Sequence, residues 1–183
     1  MYIKRQIFEV PPEGNFPAVI TTVADLGLQE SNWQGEINRA YKIGLAFELV
    51  GKTTTDGRPF AVFDRVNCSL HEKSRLAPIV SAALGTVPNE LDPRDLLGHP
   101  VLVRVVHKDG QDGKVWANIG SVTSIPDGMA VPTTATPLFH FDLDSPDPAV
   151  YQRLPALFRK LIENRVKPEP PGSEEAPDDD VPW

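Results

Sequence analysis

The chain has 183 residues, a formal charge of −7, 19 prolines and a single cysteine. That length supports one domain with a sizeable core plus an appendage. The lone Cys68 excludes an intrachain disulfide and a cysteine-rich zinc site, and no apolar run reaches the ~20 residues of a membrane-spanning helix. No basic-then-apolar leader opens the chain, so a soluble intracellular protein with no membrane partner is expected. The charge is unevenly spread. Lys167–Trp183 holds one basic residue against six acidic ones, while the rest holds 17 basic and 19 acidic. A near-neutral body therefore precedes an acidic tail, and local patches rather than bulk charge decide what the body binds.

Met1–Phe16 reads as an irregular lead broken by Pro11, Pro12 and Gly14. Phe16–Leu28 is rich in Val, Ile and Thr and predicts a long, curved first strand with a bulge near Asp25-Leu26-Gly27. Glu30–Ile37 reads as a polar loop in which Trp33 either packs beneath the loop or stacks on a ligand. The segment from Arg39 alternates, with Tyr41, Ile43, Leu45, Phe47 and Leu49 on one face and Ala40, Lys42, Gly44, Ala46 and Glu48 on the other. A period of two predicts a half-buried second strand, and Gly44 leaves room for a close neighbour. Asp56-Gly57 marks a turn in a long, mobile connection to a third strand bearing Phe60, Val62, Phe63 and Val66.

Ser69-Leu70-His71-Glu72 matches a capping box ahead of a helical pattern at Leu76, Ile79, Val80, Ala83 and Leu84. Gly85 closes it, and Pro78 predicts a kink or two short pieces. His71 and Lys73 read as solvated. A helical turn is expected at Arg94–Leu97, a fourth strand at Val101–His107 and a fifth at Val115–Thr123, joined by a polar tip with Lys108 and Lys114. Trp116 and Asn118 share one face of the fifth strand; Val115, Ala117 and Ile119 share the other. Ile125–Ser145 reads as an extended excursion. Asp147-Pro148 then opens a C-terminal helix interrupted at Pro155, with a basic face of Arg159, Lys160 and Arg165. Five strands with a helix between the third and fourth give the order of an oligonucleotide/oligosaccharide-binding (OB) barrel. The expected fold is all-β: a five-stranded OB barrel, a C-terminal helix and a disordered acidic tail. The expected division is 1–128, 129–166 and 167–183.

The tail lacks an aliphatic cluster and ends in Asp178-Asp179-Asp180-Val181-Pro182-Trp183. Such a segment buries too little to fold alone, and a ring beside a carboxylate suits an apolar pocket rimmed by cations. This tip is similar to the D-D-D-I-P-F end of bacterial single-stranded DNA-binding proteins, with Val181 and Trp183 as the departures. The preceding AVITTVADLG, YKIGLAFEL, SLHEKSRL and LLGHPVLVRVVH resemble phage-type single-stranded DNA-binding proteins with an OB core, over roughly Phe16 to Gly128. The resemblance implies sequence-independent binding of single-stranded DNA in replication, recombination or repair, in the cytoplasm of a bacterial or phage-infected host cell. It implies replication or recombination proteins as partners of residues 178–183, and a homodimer is admitted.

The strand-gripping residues it implies are Trp33, Lys42, Lys52, Arg58, Phe63, Arg65, Arg104, Trp116 and Asn118. Rings stack bases without reading sequence, and cations neutralise phosphates. The acidic tail, set against that basic groove, is expected to occupy it when DNA is absent. No catalytic residues, metal or cofactor are expected. Two rivals stand beside this reading. His140, Asp142 and Asp144 could hold a metal in a nuclease, and an OB barrel could serve as an adaptor for a protein rather than DNA.

Overall fold

Val, Ile and Thr recur after Gly14, and such side chains fit a pleated, half-buried surface. They form β1, Gly14–Trp33, in a computed structural model that describes residues 8–168. β2 (Glu36–Thr53) and β3 (Pro59–Asn67) complete an antiparallel meander. Next come α1 (Leu76–Leu84), a 3₁₀ turn at Pro93–Leu96, β4 (Pro100–Asp109) and β5 (Val115–Thr123). β6 (Phe139–Phe141), α2 (Pro148–Arg153) and α3 (Ala156–Glu163) follow. The hydrogen-bonded order is β3-β2-β1-β4-β5, with β6 parallel on β1. The fold is mainly β, as expected. β3 and β5, the two edges, lie side by side, but among the described residues no ladder joins them into a closed barrel.

β1 serves two neighbours. Gly14–Val19 pairs with β4, and Ala18–Trp33 pairs with β2. Bulges between Ile20 and Thr22 and between Asp25 and Gly27 bend it from one to the other. The second bulge is the expected one. The Asp25 carboxylate accepts the Gly27 N–H at 2.8 Å, and Gly27 has φ +70°.

The alternation in β2 places Ile43, Leu45, Phe47 and Leu49 in the main core with Ile20, Val62, Val103 and Ile119. Leu76, Ile79 and Val80 of α1 plug that core. The other face of β2 departs from expectation, because it is also covered. Ala24, Leu26, Phe141, Leu154, Phe158 and Ile162 make a second core. α3 lies so close that a methyl group on Gly44 would stand 2.8 Å from the Phe158 ring. Glu48, on that face too, accepts a 2.5 Å hydrogen bond from Thr134 Oγ1 in the predicted excursion. Tyr41, expected inward, is 64% exposed because it lies past the point where the core stops.

Other local expectations need correction. Glu30–Ile37 is not a loop: the β1–β2 ladder continues through it to Trp33↔Glu36, forming a two-stranded arm. The β2–β3 connection is neither long nor loose. It spans Thr54–Arg58, and the Glu9 carboxylate accepts the Thr55 N–H at 2.9 Å. Ser69-x-x-Glu72 does not cap α1. Ser69 Oγ accepts the His71 N–H within a preceding turn, and Ser74 Oγ accepts the Ala77 N–H at 3.1 Å. Pro78 falls in the first turn of α1, where a missing N–H costs nothing, so one unbroken helix runs to Gly85 at φ +82°. The predicted break at Pro155 separates α2 from α3.

Asp147 caps α2 as predicted. Its side chain accepts from Ala149 N at 2.8 Å and Val150 N at 3.4 Å, with Pro148 at the first helical position. Asp147→Ala is expected to cost about 1 kcal/mol, read as a lower urea midpoint with an unchanged denaturant slope.

Candidate functional site

The pleat decides which side chains can meet at the open edge. In β5, Ile119 turns inward while Trp116 and Asn118 turn outward, opposite Lys108 and Val106 of β4. In β3, Val62 and Val66 turn inward, and Ala61, Phe63 and Arg65 turn outward. β3 and β5 are neighbours across the gap, so their outward residues border one groove of about 730 Å³. Phe63, Lys108, Trp116 and Asn118 line it. Pro155, Ala156 and Leu157, where α3 begins, form one wall; Phe8, Val10 and Pro11 form another.

Three aromatic rings present themselves to solvent in this groove, with Phe8 the most exposed at 80%. Phe63 is 39% exposed and Trp116 is 49% exposed. Phe63 is braced by a buried ring, and Trp116 is flanked by the exposed Phe8. Phe158 meets Phe63 edge-on with centroids 5.8 Å apart, and Phe8 leans on Trp116 at 6.4 Å. A braced ring loses little further side-chain freedom when a ligand stacks on it. The segment carrying Phe8 is tethered as well. Glu13 accepts the His107 N–H at 2.7 Å, and the Pro11 carbonyl lies 2.7 Å from His107 Nε2. Lys108 is exposed and, among the described residues, has no carboxylate within ion-pair distance.

Of the nine residues implied as strand-gripping, the groove gathers Phe63, Trp116 and Asn118, with Arg65 two positions along the same face of β3. The others lie apart. Trp33 is 75% exposed at the tip of the β1–β2 arm, so it does not pack beneath a loop. Lys42 sits on the outward face of β2 opposite Gly27, against which Arg165 lies. Lys52 is at the far end of β2, its Nζ 5.6 Å from the centre of the Phe16 ring. Arg58 is paired with Asp56 at 3.0 Å in the same hairpin tip. Arg104 points outward from β4 opposite Ser121, four residues from Lys108.

Sequence reasoning missed Lys108, Phe8 and Leu157. Lys108 could have been found, since it shares a face with Val106, opposite to that of the inward Val105. Phe8 could not, because nothing in an irregular lead says where it lies.

The remaining candidates stand elsewhere. Among the described residues no three His, Cys, Asp or Glu side chains converge as a ligand set. In HFDLD, Asp142 instead accepts the Asp144 N–H at 2.8 Å, a local turn. Asp178, Asp179, Asp180, Val181, Pro182 and Trp183 lie outside the described residues. Among the described residues no helix is long and apolar enough to cross a membrane. No family model, curated protein or solved structure matches the chain.

Proposed function

We propose that this chain binds single-stranded DNA without regard to sequence, in the groove between β3 and β5. The observation that carries the reading is the pair of solvent-facing rings, Phe63 and Trp116, in one groove with Lys108 and Asn118. Any base can stack on such rings, which is why they suit a ligand of arbitrary sequence. Lys108 supplies charge for a phosphate, and Asn118 supplies an amide for a base edge or sugar. The reading is supported by the strand path β3-β2-β1-β4-β5 with α1 between β3 and β4, which is the order of an OB barrel. The acidic segment Asp178–Trp183 is proposed to recruit partner proteins of replication or recombination.

The test is tryptophan fluorescence and polarisation with a labelled poly-pyrimidine DNA oligonucleotide. Binding accompanied by quenching, and weakening steeply as salt rises, is the expected result. No change in either signal at low salt would overturn the reading and favour a protein ligand for the same groove.

A further inference from the structure

Beyond the groove, the outward face of β3 runs from Phe63 to Arg65 and on to Asn67, where the chain turns toward α1. A second recess of about 470 Å³ opens there, and among the described residues no carboxylate lines it. Arg65, Ser69, His71, Lys73 and Arg75 all contribute to its wall. The local turn arranges them. His71 Nδ1 accepts the Lys73 N–H at 3.1 Å, which leaves Nε2 as the ring's N–H donor. Ser69 Oγ accepts the His71 N–H at 3.3 Å and keeps its own O–H to donate.

The charges at this recess are not internally cancelled. The nearby Asp64 is engaged by Arg75, whose Nε donates to it at 2.7 Å while Nη2 donates to the Ile119 carbonyl at 2.7 Å. Burial pushes the Asp64 carboxyl above its ordinary pKa, partly offset by Arg75. Arg65 and Lys73 have no ion-pair partner among the described residues. Two cations and two further donors, around a recess that no carboxylate of the described residues lines, make a site for a phosphate oxyanion.

The geometry points to this recess as the seat of a backbone phosphate of the same bound strand. Phe63 and Arg65 are two residues apart on one strand face, about 7 Å, a distance that one nucleotide of extended strand spans. A base on Phe63 thus carries its neighbouring phosphate to Arg65, and Lys73 closes on it from the α1 side. This assignment rests on the single-strand reading above. It adds His71 and Lys73, which the sequence alone marks as solvated, and it sets the path of the strand along β3 toward α1.

The experiment measures oligonucleotide affinity across a salt series for the full chain and for Arg65→Ala, Lys73→Ala and Arg94→Ala. Removing one phosphate-neutralising cation should lower the slope of log affinity against log salt by about 0.7. Arg65→Ala and Lys73→Ala should each show that decrease, with tryptophan quenching at saturation retained. Arg94→Ala removes a cation already bound to Asp92 and should leave the slope unchanged. Unchanged slopes in the two recess variants, or an equal drop in Arg94→Ala, would overturn the recess while leaving the groove standing. Absence of binding by the parent chain would overturn both.

Discussion

Phe158→Ala is expected to lower the stability of the fold by about 3–5 kcal/mol, the range for deleting a buried phenyl ring. Phe158 is fully buried and anchors the second core with Leu26, Phe141, Leu154 and Ile162. Its ring lies over Gly44, and no side chain there can swing in to fill the space it leaves. For a chain of this length the loss corresponds to a melting temperature lower by roughly 6–20 °C, which calorimetry would read. The converse change tests the same packing. Gly44→Ala forces a methyl group to within 2.8 Å of the ring, an overpacking expected to cost about 1–3 kcal/mol. In the Phe158→Ala background that penalty should largely vanish, because the two residues share one space. Additive losses would mean that α3 does not sit on β2 as described. Phe158 also holds Phe63, so the variant should bind the strand less tightly even where it remains folded.

Trp116→Ala is expected to weaken oligonucleotide binding by about 1–3 kcal/mol, roughly 5- to 150-fold, the cost of removing one stacking platform. The ring is half exposed and makes no contribution to either core cluster, so thermal stability should barely change. The quenching contributed by the groove should go with it, since Trp33 stands apart at the arm tip. Affinity that survived the substitution intact would remove the observation on which the proposed function stands. Trp33→Ala is a useful contrast, because an equal loss there would move the ligand from groove to arm.

How much of this is legible in the chain depends on whether burial leaves a period. Ile43, Leu45, Phe47 and Leu49 alternate because one face meets a large core, and that strand reads directly. Trp116 and Asn118 read correctly for the same reason. Gly44 announces a neighbour but not its identity, since that neighbour lies over 100 residues away in α3. The arm from Glu30 to Ile37 reads as a loop because ladder hydrogen bonds join backbones whatever the side chains are, and an unburied ribbon has no apolar period. β6 is three residues long, too short for any pattern, and pairs with β1 through a ladder that no local rule foresees. The groove is the least legible feature. Its residues come from β3, β4, β5, the segment before β1 and the start of α3, and the meeting of the two sheet edges brings them together.

The double duty of β1 bears on how the chain reaches its native state. Its pairing with β2 joins near neighbours in sequence and can zip outward from the Gln34-Gly35 turn. Its pairing with β4 joins Gly14 to Val105, about 90 residues distant, and closing so long a loop costs entropy before any of its stabilising interactions form. The β1–β2–β3 meander should therefore assemble early, with the docking of β4 as the slow, rate-setting event. The groove depends on β5, which β4 brings with it, so binding competence should arrive last in refolding.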